Sequence, residues 1–415
     1  MPVLTRILLF CLLGASLGMH AVFGGADLPA AAASMRGTVA WSGCPPVTWS
    51  IEVPPATGSP WQGRVIVTGQ GIDVRGTVAY DNENTLVWDL TEFSLDLAIW
   101  FKPLFARFAP EQRDDDVVVR GAVTGSAKGR RTPTGLTGEG SFAWSDGALS
   151  SVSRAFELSG LNLQVELNRL EQPSTPPGQT LRFALARVSG VEITDGLVRF
   201  QIEQGTRVRV ESARLSALGG SLVAEPFAFA FSHEGIEAIN ARVNASGVAL
   251  AQVALLLPKV ILEAQGKISG GVGLGWNSTT GFALGDGSLR IDRLESVEVR
   301  LSPQPGFLTD SVPVTLSLLP AWMGPLSRRM TIANPAHQVL RAIEMGEMPL
   351  VVDDLELRTR PEGDAAGRTA HVALSARPKV PGVVEAVDIE VNVSGPLDQV
   401  IRIGLENSIS SVTSK

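Results

Sequence analysis

Along most of the chain apolar and polar residues alternate with a period of two, the pattern of strands that bury one face. Val198, Phe200 and Ile202 share a face against Arg199 and Gln201, and Val297, Val299 and Leu301 do so against Glu298 and Arg300. The longest run is Val387, Ile389, Val391 and Val393, opposed by Asp388, Glu390 and Asn392. Arg64 to Thr68 and Ile72 to Tyr80 alternate on either side of a Gly69-Gln70-Gly71 turn. Asp146-Gly147, Asp195-Gly196 and Asp286-Gly287 read as turns. Gly121 to Gly140, rich in Gly, Thr and Ser, reads as a hairpin with a long loop. A sheet with one apolar and one polar face must cover the apolar one with a second sheet, helices or a ligand.

The period changes in three places. Phe93, Leu97, Trp100, Phe101, Leu104, Phe105 and Phe108 fall at helical spacing, which predicts an amphipathic helix near 93–108. Pro103 inside it should kink or split it. A second short helix is expected around Ala249 to Leu257. A third is opened by Asn334-Pro335, a cap and first-turn pair, and runs through Ile343 to end near Gly346. The Pro- and Ser-rich run Pro173 to Gly178 is the best internal boundary. The layout expected is an export segment at 1–26, an N-terminal β region at 27–180 carrying the amphipathic helix, and a second β region at 181–415.

Composition agrees with a β class. The 415 residues include 43 Gly and 26 Pro but one Tyr, and Glu and Lys are sparse for long surface helices. A net charge of -7 without clustered Lys and Arg gives no basis for nucleic-acid binding. At the N-terminus, Arg6 precedes the apolar run Ile7 to Leu13, and Gly24-Gly25-Ala26 offers a small-residue cleavage site. That predicts a secretory signal peptide, with an uncleaved anchor reaching Phe23 as the alternative. Export would leave Cys44 with no internal disulfide partner; it reads as a small apolar filler.

Catalytic patterns are lacking. His20, His233, His337 and His371 have no metal-binding spacing between them, and the chain holds no nucleophile elbow, phosphate loop or HExxH. Consecutive side chains of Arg113-Asp114-Asp115-Asp116 on an extended chain point to opposite faces, so they do not converge on one ion. Gly270-Gly271-Val272-Gly273-Leu274-Gly275 lacks the Lys-Ser/Thr ending of a phosphate loop and reads as a Gly-rich strand. The expectation is a protein that is not an enzyme, with no metal and no cofactor.

Five short pieces stand in order along the chain. They are Leu218-Gly219-Gly220-Ser221-Leu222 with Pro226-Phe227, Gly247 to Gln252, Gly266-Lys267-Ile268-Ser269-Gly270, Gly285-Asp286-Gly287-Ser288-Leu289, and Pro305-Gly306. Val339 to Ile343 and Leu350 to Leu357 follow them. Each is made of common turn residues; their order and spacing, over roughly Arg182 to Leu405, carry a resemblance. In them the chain resembles the AsmA-like superfamily of bacterial envelope proteins, in particular its YdbH-type members, some of which bear the older label "dicarboxylate transport". The resemblance implies a mainly β fold: an elongated, twisted antiparallel sheet curled into a trough or groove, with a few short helices. It further implies a periplasmic protein, tethered or not to the inner membrane by its N-terminal segment, that transfers phospholipid between membranes. Its partners would be phospholipid acyl chains and a membrane surface or membrane-embedded envelope proteins. On that reading Val198, Phe200, Ile202, Val297, Val299, Leu301, Ile389, Val391 and Val393 line the lipid groove. The alternative is a structural or assembly factor of the outer envelope with a dry β core and no lipid.

Overall fold

The computed structural model describes residues 33–40, 43–54, 61–80, 85–108, 116–153, 155–188, 191–203, 205–232, 235–236, 238–256, 260–277, 281–292, 295–319, 322, 330–360 and 368–394. The predicted export segment, His20, His233 and the run Arg113 to Asp115 lie outside these residues. The chain is mainly β, its strands paired antiparallel in a sheet not closed into a barrel, with three short helices among the described residues. It divides into two compact units, Met1–Arg214 with Pro226–Glu237, and Leu215–Glu225 with Ala238–Lys415.

The first unit is a meander. Its strands are β1 (Ala33–Val39), β2 (Val47–Val53), β3 (Trp61–Gly69), β4 (Ile72–Tyr80), β5 (Leu86–Asp96), β6 (Val118–Thr132), β7 (Gly135–Ser151), β8 (Phe156–Leu167), β9 (Gln179–Val188) and β10 (Val191–Ile202). Each pairs antiparallel with the next. After them β11 (Arg207–Ala217) pairs with β13 (Phe227–Ser232), and β13 with the two-residue β14 (Gly235–Ile236). Alternate residues of these strands meet in one apolar cluster that runs from Val47 to Val208, with Ile51, Val74 and Trp88 almost wholly buried. Helix α1 (Leu97–Phe108) packs on it through Leu97, Trp100 and Leu104. It is held at its start by Asp96, whose carboxylate accepts from Ala98 N at 2.9 Å, and by Trp100 Nε1, which donates to Gln70 O at 2.8 Å.

Three local expectations need correction here. The helix starts at Leu97, and Phe93 belongs to β5. A bulge between Leu90 and Phe93 slips the alternation by one residue, so Phe93 stays on the packed face while its spacing to Leu97 imitates a helix. Pro103 removes the bond to the Ile99 carbonyl but does not split α1, so of the expected kink or split only the split is ruled out. Nor is there a long loop between Gly121 and Gly140: β6 and β7 meet at Pro133-Thr134, with Thr132 opposite Gly135. The small residues there are ladder positions that leave room for large neighbours. A Cβ at Gly129 would run into the Trp88 indole, one at Gly138 into Leu170, and one at Gly140 against the Phe142 ring.

The Asp-Gly pairs are not turns between strands. Asp146 and Asp195 sit inside β7 and β10 with φ of 48° and 54°, the left-handed region that Asp tolerates. Asp146 and Asp286 fall at register shifts, so they mark bulges that bend long strands. The two-residue turn with positive φ at both positions is instead Leu218-Gly219, between β11 and β12 (Gly220–Ala224).

The second unit continues with β15 (Ala238–Ala249), β16 (Ile261–Gln265), β17 (Lys267–Asn277), β18 (Gly281–Ile291), β19 (Val297–Leu301), β20 (Thr315–Ser317), β21 (Thr331–Ala333), β22 (Leu350–Thr359), β23 (Arg368–Pro378) and β24 (Val387–Ser394). The pairing order is β12–β15–β17–β18–β22–β23–β24. The start of β22 pairs instead with β19, which pairs with β16. Strands β20 and β21 pair with each other in a separate two-stranded sheet. Helices α2 (Leu250–Leu256) and α3 (Pro335–Glu344) supply Leu250, Ala254 and Ile343 to the core. Asn334 caps α3, its side chain accepting from Ala336 N.

Candidate functional site

The period-two residues of β17, β18, β22, β23 and β24 fall into rows that run straight across the second unit. Val248, at the end of β15, opposes Ile268, and Ile268 opposes Ile291. Farther on, Leu355 opposes Leu374, and Leu374 opposes Ile389. Two residues along each strand, three on β15 where a bulge intervenes, the next row reads Ala245, Gly270, Leu289, Leu357, Val372 and Val391, each opposite the one before it. Residues directly opposite in an antiparallel pair share a face. One apolar face therefore spans six strands in register.

Burial is graded along that face. At one end Val297 opposes Val352 and Val299 opposes Leu350, and helices α2 and α3 cover them: Leu350 and Ile343 have no exposed surface. The row through Leu374 and Ile389 is mostly buried. In the row beyond, Ala245, Leu289, Leu357 and Val372 are half-buried and Val391 is 36% exposed. On β15 and β17 the half-buried positions continue outward as Val243 opposite Val272, Ala241 opposite Leu274 and Ile239 opposite Trp276.

The opposite face is charged and paired. Glu356 accepts from Arg290 at 2.6 Å and from Arg358 at 2.7 Å, and these guanidinium hydrogen bonds, Arg358 foremost, hold its carboxyl down to about 2. Arg377 meets Asp353 at 2.7 Å and Lys379 meets Glu298 at 2.7 Å. Ionic groups on one side of a strand and bare hydrocarbon on the other leave the apolar side as the only one suited to an acyl chain.

The nine residues singled out by alternation divide between the two units. Phe200 and Ile202 lie in the core of the first unit, with Val198 half-buried on the same strand. Nearby, along β13, the Phe227 and Phe229 rings stack and the Phe229 and Phe231 rings meet edge to face, Phe229 and Phe231 packing against that core. Val297, Val299 and Ile389 join the second core, Leu301 packs at its edge, and Val391 stands at its exposed margin. The backbone of Val393 opposes Ala370; its side chain is outside the described residues. Sequence reading missed Leu289, Leu357 and Val372, the half-open middle of the face. Their alternation is visible, but which strand pairs with which is not a local property.

Among the described residues no group of His, Cys, Asp and Glu could hold a metal ion, and no helix is long and apolar enough to cross a membrane. Among the described residues one carboxylate is buried, that of Glu344 at the end of α3. Burial pushes its pKa up, but donors from Leu308 N at 2.9 Å and from Thr309 N and Oγ1 at 3.2 and 2.8 Å outweigh it, and the carboxyl titrates below its ordinary value. It ties the segment after β19 to α3.

No curated protein and no solved structure matches the chain. A family match does exist, to "YdbH-like: Intermembrane phospholipid transport protein YdbH", over residues 90–306. It takes in the strands from β6 to β19 and so includes half of the rows just described, with β22 to β24 beyond it. Covering more than half of the 415 residues, the match shows that the chain belongs to the YdbH-like family of intermembrane phospholipid transport proteins.

Proposed function

We propose that the chain is a non-catalytic carrier that moves phospholipid between membranes through the periplasm, holding acyl chains against the apolar rows of its sheet. The observation that carries this reading is the graded burial of the second unit's face: closed by α2 and α3 at one end, half-open through Leu289, Leu357 and Val372, and exposed at Val391. A face with no occupant would leave that hydrocarbon in water, at a cost of about 25 cal/mol per Å². The lining assigned to the lipid is Val391, with Leu301 and Ile389 at its edge and the half-open row Leu289, Leu357 and Val372 extending it, while Phe200, Ile202, Val297 and Val299 belong to the packed cores of their units. No bond is made or broken in such transfer, so the residues need only supply hydrocarbon contact and a polar outer face. Residues 1–26 would direct export, with or without remaining as a tether to the inner membrane. Native mass spectrometry of the gently purified chain tests the proposal. Bound phospholipid is expected; a folded chain that carries none and takes none up from vesicles overturns it.

The first unit favours a second reading. Its apolar cluster is closed by protein, with Ile51 and Trp88 at 0% and 1% exposure, as expected of a dry β core in an envelope assembly factor. Lipid found only on chains with an intact second unit would assign the two readings to the two units.

A further inference from the structure

Among the described residues, the β20–β21 hairpin is a part of the second unit that stands outside its core. Its ladder is Thr315 opposite Ala333, Leu316 opposite Ile332 and Ser317 opposite Thr331. It is extended by Asn334 N donating to Val314 O and Leu318 N donating to Met330 O, both at 2.9 Å. Val314, Leu316, Leu318, Met330 and Ile332 thus fall on one face, and Thr315, Ser317, Thr331 and Ala333 on the other. All five apolar residues are between 41% and 64% exposed, and Trp322 beyond them is 82% exposed. An isolated two-stranded hairpin is at best marginally stable in water, and a contiguous exposed apolar patch marks an interaction site.

The hairpin's roots are fixed. At one, Asn334 donates through Nδ2 to Pro313 O at 2.8 Å while capping α3. Upstream of the other, Glu344 at the far end of α3 binds Leu308 and Thr309. Both attachments are therefore to the helix that covers the buried end of the apolar face.

Charge identifies the occupant. In a chain of net charge -7, residues 311–343 contain no Asp or Glu and three Arg. A stretch that is apolar, cationic and contains Trp322 has the composition of elements that settle into the headgroup region of an anionic bilayer. We propose that the β20–β21 hairpin is a membrane-docking element that lays Leu316, Leu318, Met330, Ile332 and Trp322 into the surface of an anionic phospholipid bilayer. The inference rests on the lipid-transfer reading for why the chain should meet a bilayer; the geometry of the hairpin stands apart from it.

The two faces of the hairpin give the test. An environment-sensitive fluorophore is placed at Leu318→Cys or at Ser317→Cys, in full chains carrying Cys11→Ser and Cys44→Ser. Vesicles of phosphatidylglycerol and phosphatidylethanolamine are then added. The probe at 318 is expected to brighten and shift to the blue, the probe at 317 to change little, and phosphatidylcholine vesicles to give a weaker response. Combining Trp322→Ser with Leu316→Asn should raise the vesicle concentration for half response by about tenfold or more, since one fully buried apolar side chain is worth about that ratio and two are lost. Equal responses at both positions, no response at either, or a double variant that responds like its parent overturns the proposal. So does a probe at 318 that is already shielded before vesicles are added, in a chain that elutes as a dimer; that result makes the face a contact between copies. Phospholipid measured on the same preparations separates the two readings. A lipid-loaded chain with a silent probe sinks the docking element alone, and a lipid-free chain whose probe responds sinks the carrier reading alone.

Discussion

Ile389 and Val391 lie two residues apart on the same face of β24, yet Ile389 is 8% exposed and Val391 is 36% exposed. Each faces an apolar partner on β23, Leu374 for Ile389 and Val372 for Val391. Within one strand, the step between them is the step from packed core to open margin.

That step predicts opposite outcomes for the same substitution. Val391→Asp keeps its carboxylate hydrated, so the thermal melt should stay close to that of the parent while bound phospholipid is lost. Ile389→Asp or Ile202→Asp places an unpaired carboxylate in hydrocarbon, which costs several kcal/mol and should unfold the unit that holds it. Circular dichroism melts paired with lipid analysis read both. A Val391→Asp chain that is folded and fully lipid-loaded would remove this residue from the lining.

Ile343 joins α3 to the covered end of the rows and has no exposed surface. Truncation to Ala should destabilise the second unit by about 2–5 kcal/mol, transfer and cavity terms together. Urea unfolding followed by a probe in that unit measures it. The same change at Val391 should cost well under half as much.

Glu344 is satisfied by Leu308 N, Thr309 N and Thr309 Oγ1. Glu344→Gln keeps the size and removes the charge, with an expected loss of about 1.5–3 kcal/mol, the scale of hydrogen bonds to an ionised group. Faster amide exchange confined to Leu308 and Thr309 should accompany it. Unchanged exchange there would show that the loop is held by something else.

Glu356 carries the pH dependence. Its pKa is about 2 in the folded chain against 4.5 ordinarily, so the folded state favours the ionised form. The stability this adds is fully present above about pH 4.5 and falls away as the pH drops toward 2, because the unfolded chain takes up the proton first. Glu356→Gln should therefore flatten the acid limb of the stability curve between those values and leave its shape near neutrality unchanged. Denaturant midpoints at a series of pH values test this, and an acid limb as steep as the parent's would refute it.

Strand faces were readable from the sequence because a period of two is a local property: Phe200 with Ile202, Val297 with Val299, and Ile389 with Val391 each share a face as the pattern requires. The second and third helices were readable for a similar reason, the third from its Asn334-Pro335 start. Misreadings arose where packing overrides local grammar. Phe93 looked helical because a bulge shifted its phase, and the glycines of β6 and β7 looked like loop because the partners that require them, Trp88 and Phe142, sit on other strands or positions. The candidate site was only half legible. Alternation supplied its residues, but the pairing of Leu289 with Leu357, across β19 to β21, depends on the whole unit.

The two pairing schemes also imply two orders of assembly. From β1 to β10 every strand pairs with its successor, so each new hairpin can close on an existing edge as the chain is delivered from its N-terminus. Contacts this local close with little loop entropy and form early. In the second unit β18 must wait for β22, and α3 must arrive before Val297 and Leu350 are sealed. A chain interrupted before Leu350 thus holds a finished first sheet and a second one whose hydrocarbon edge is still open, and it is at that stage that the molecule most needs protection from its neighbours.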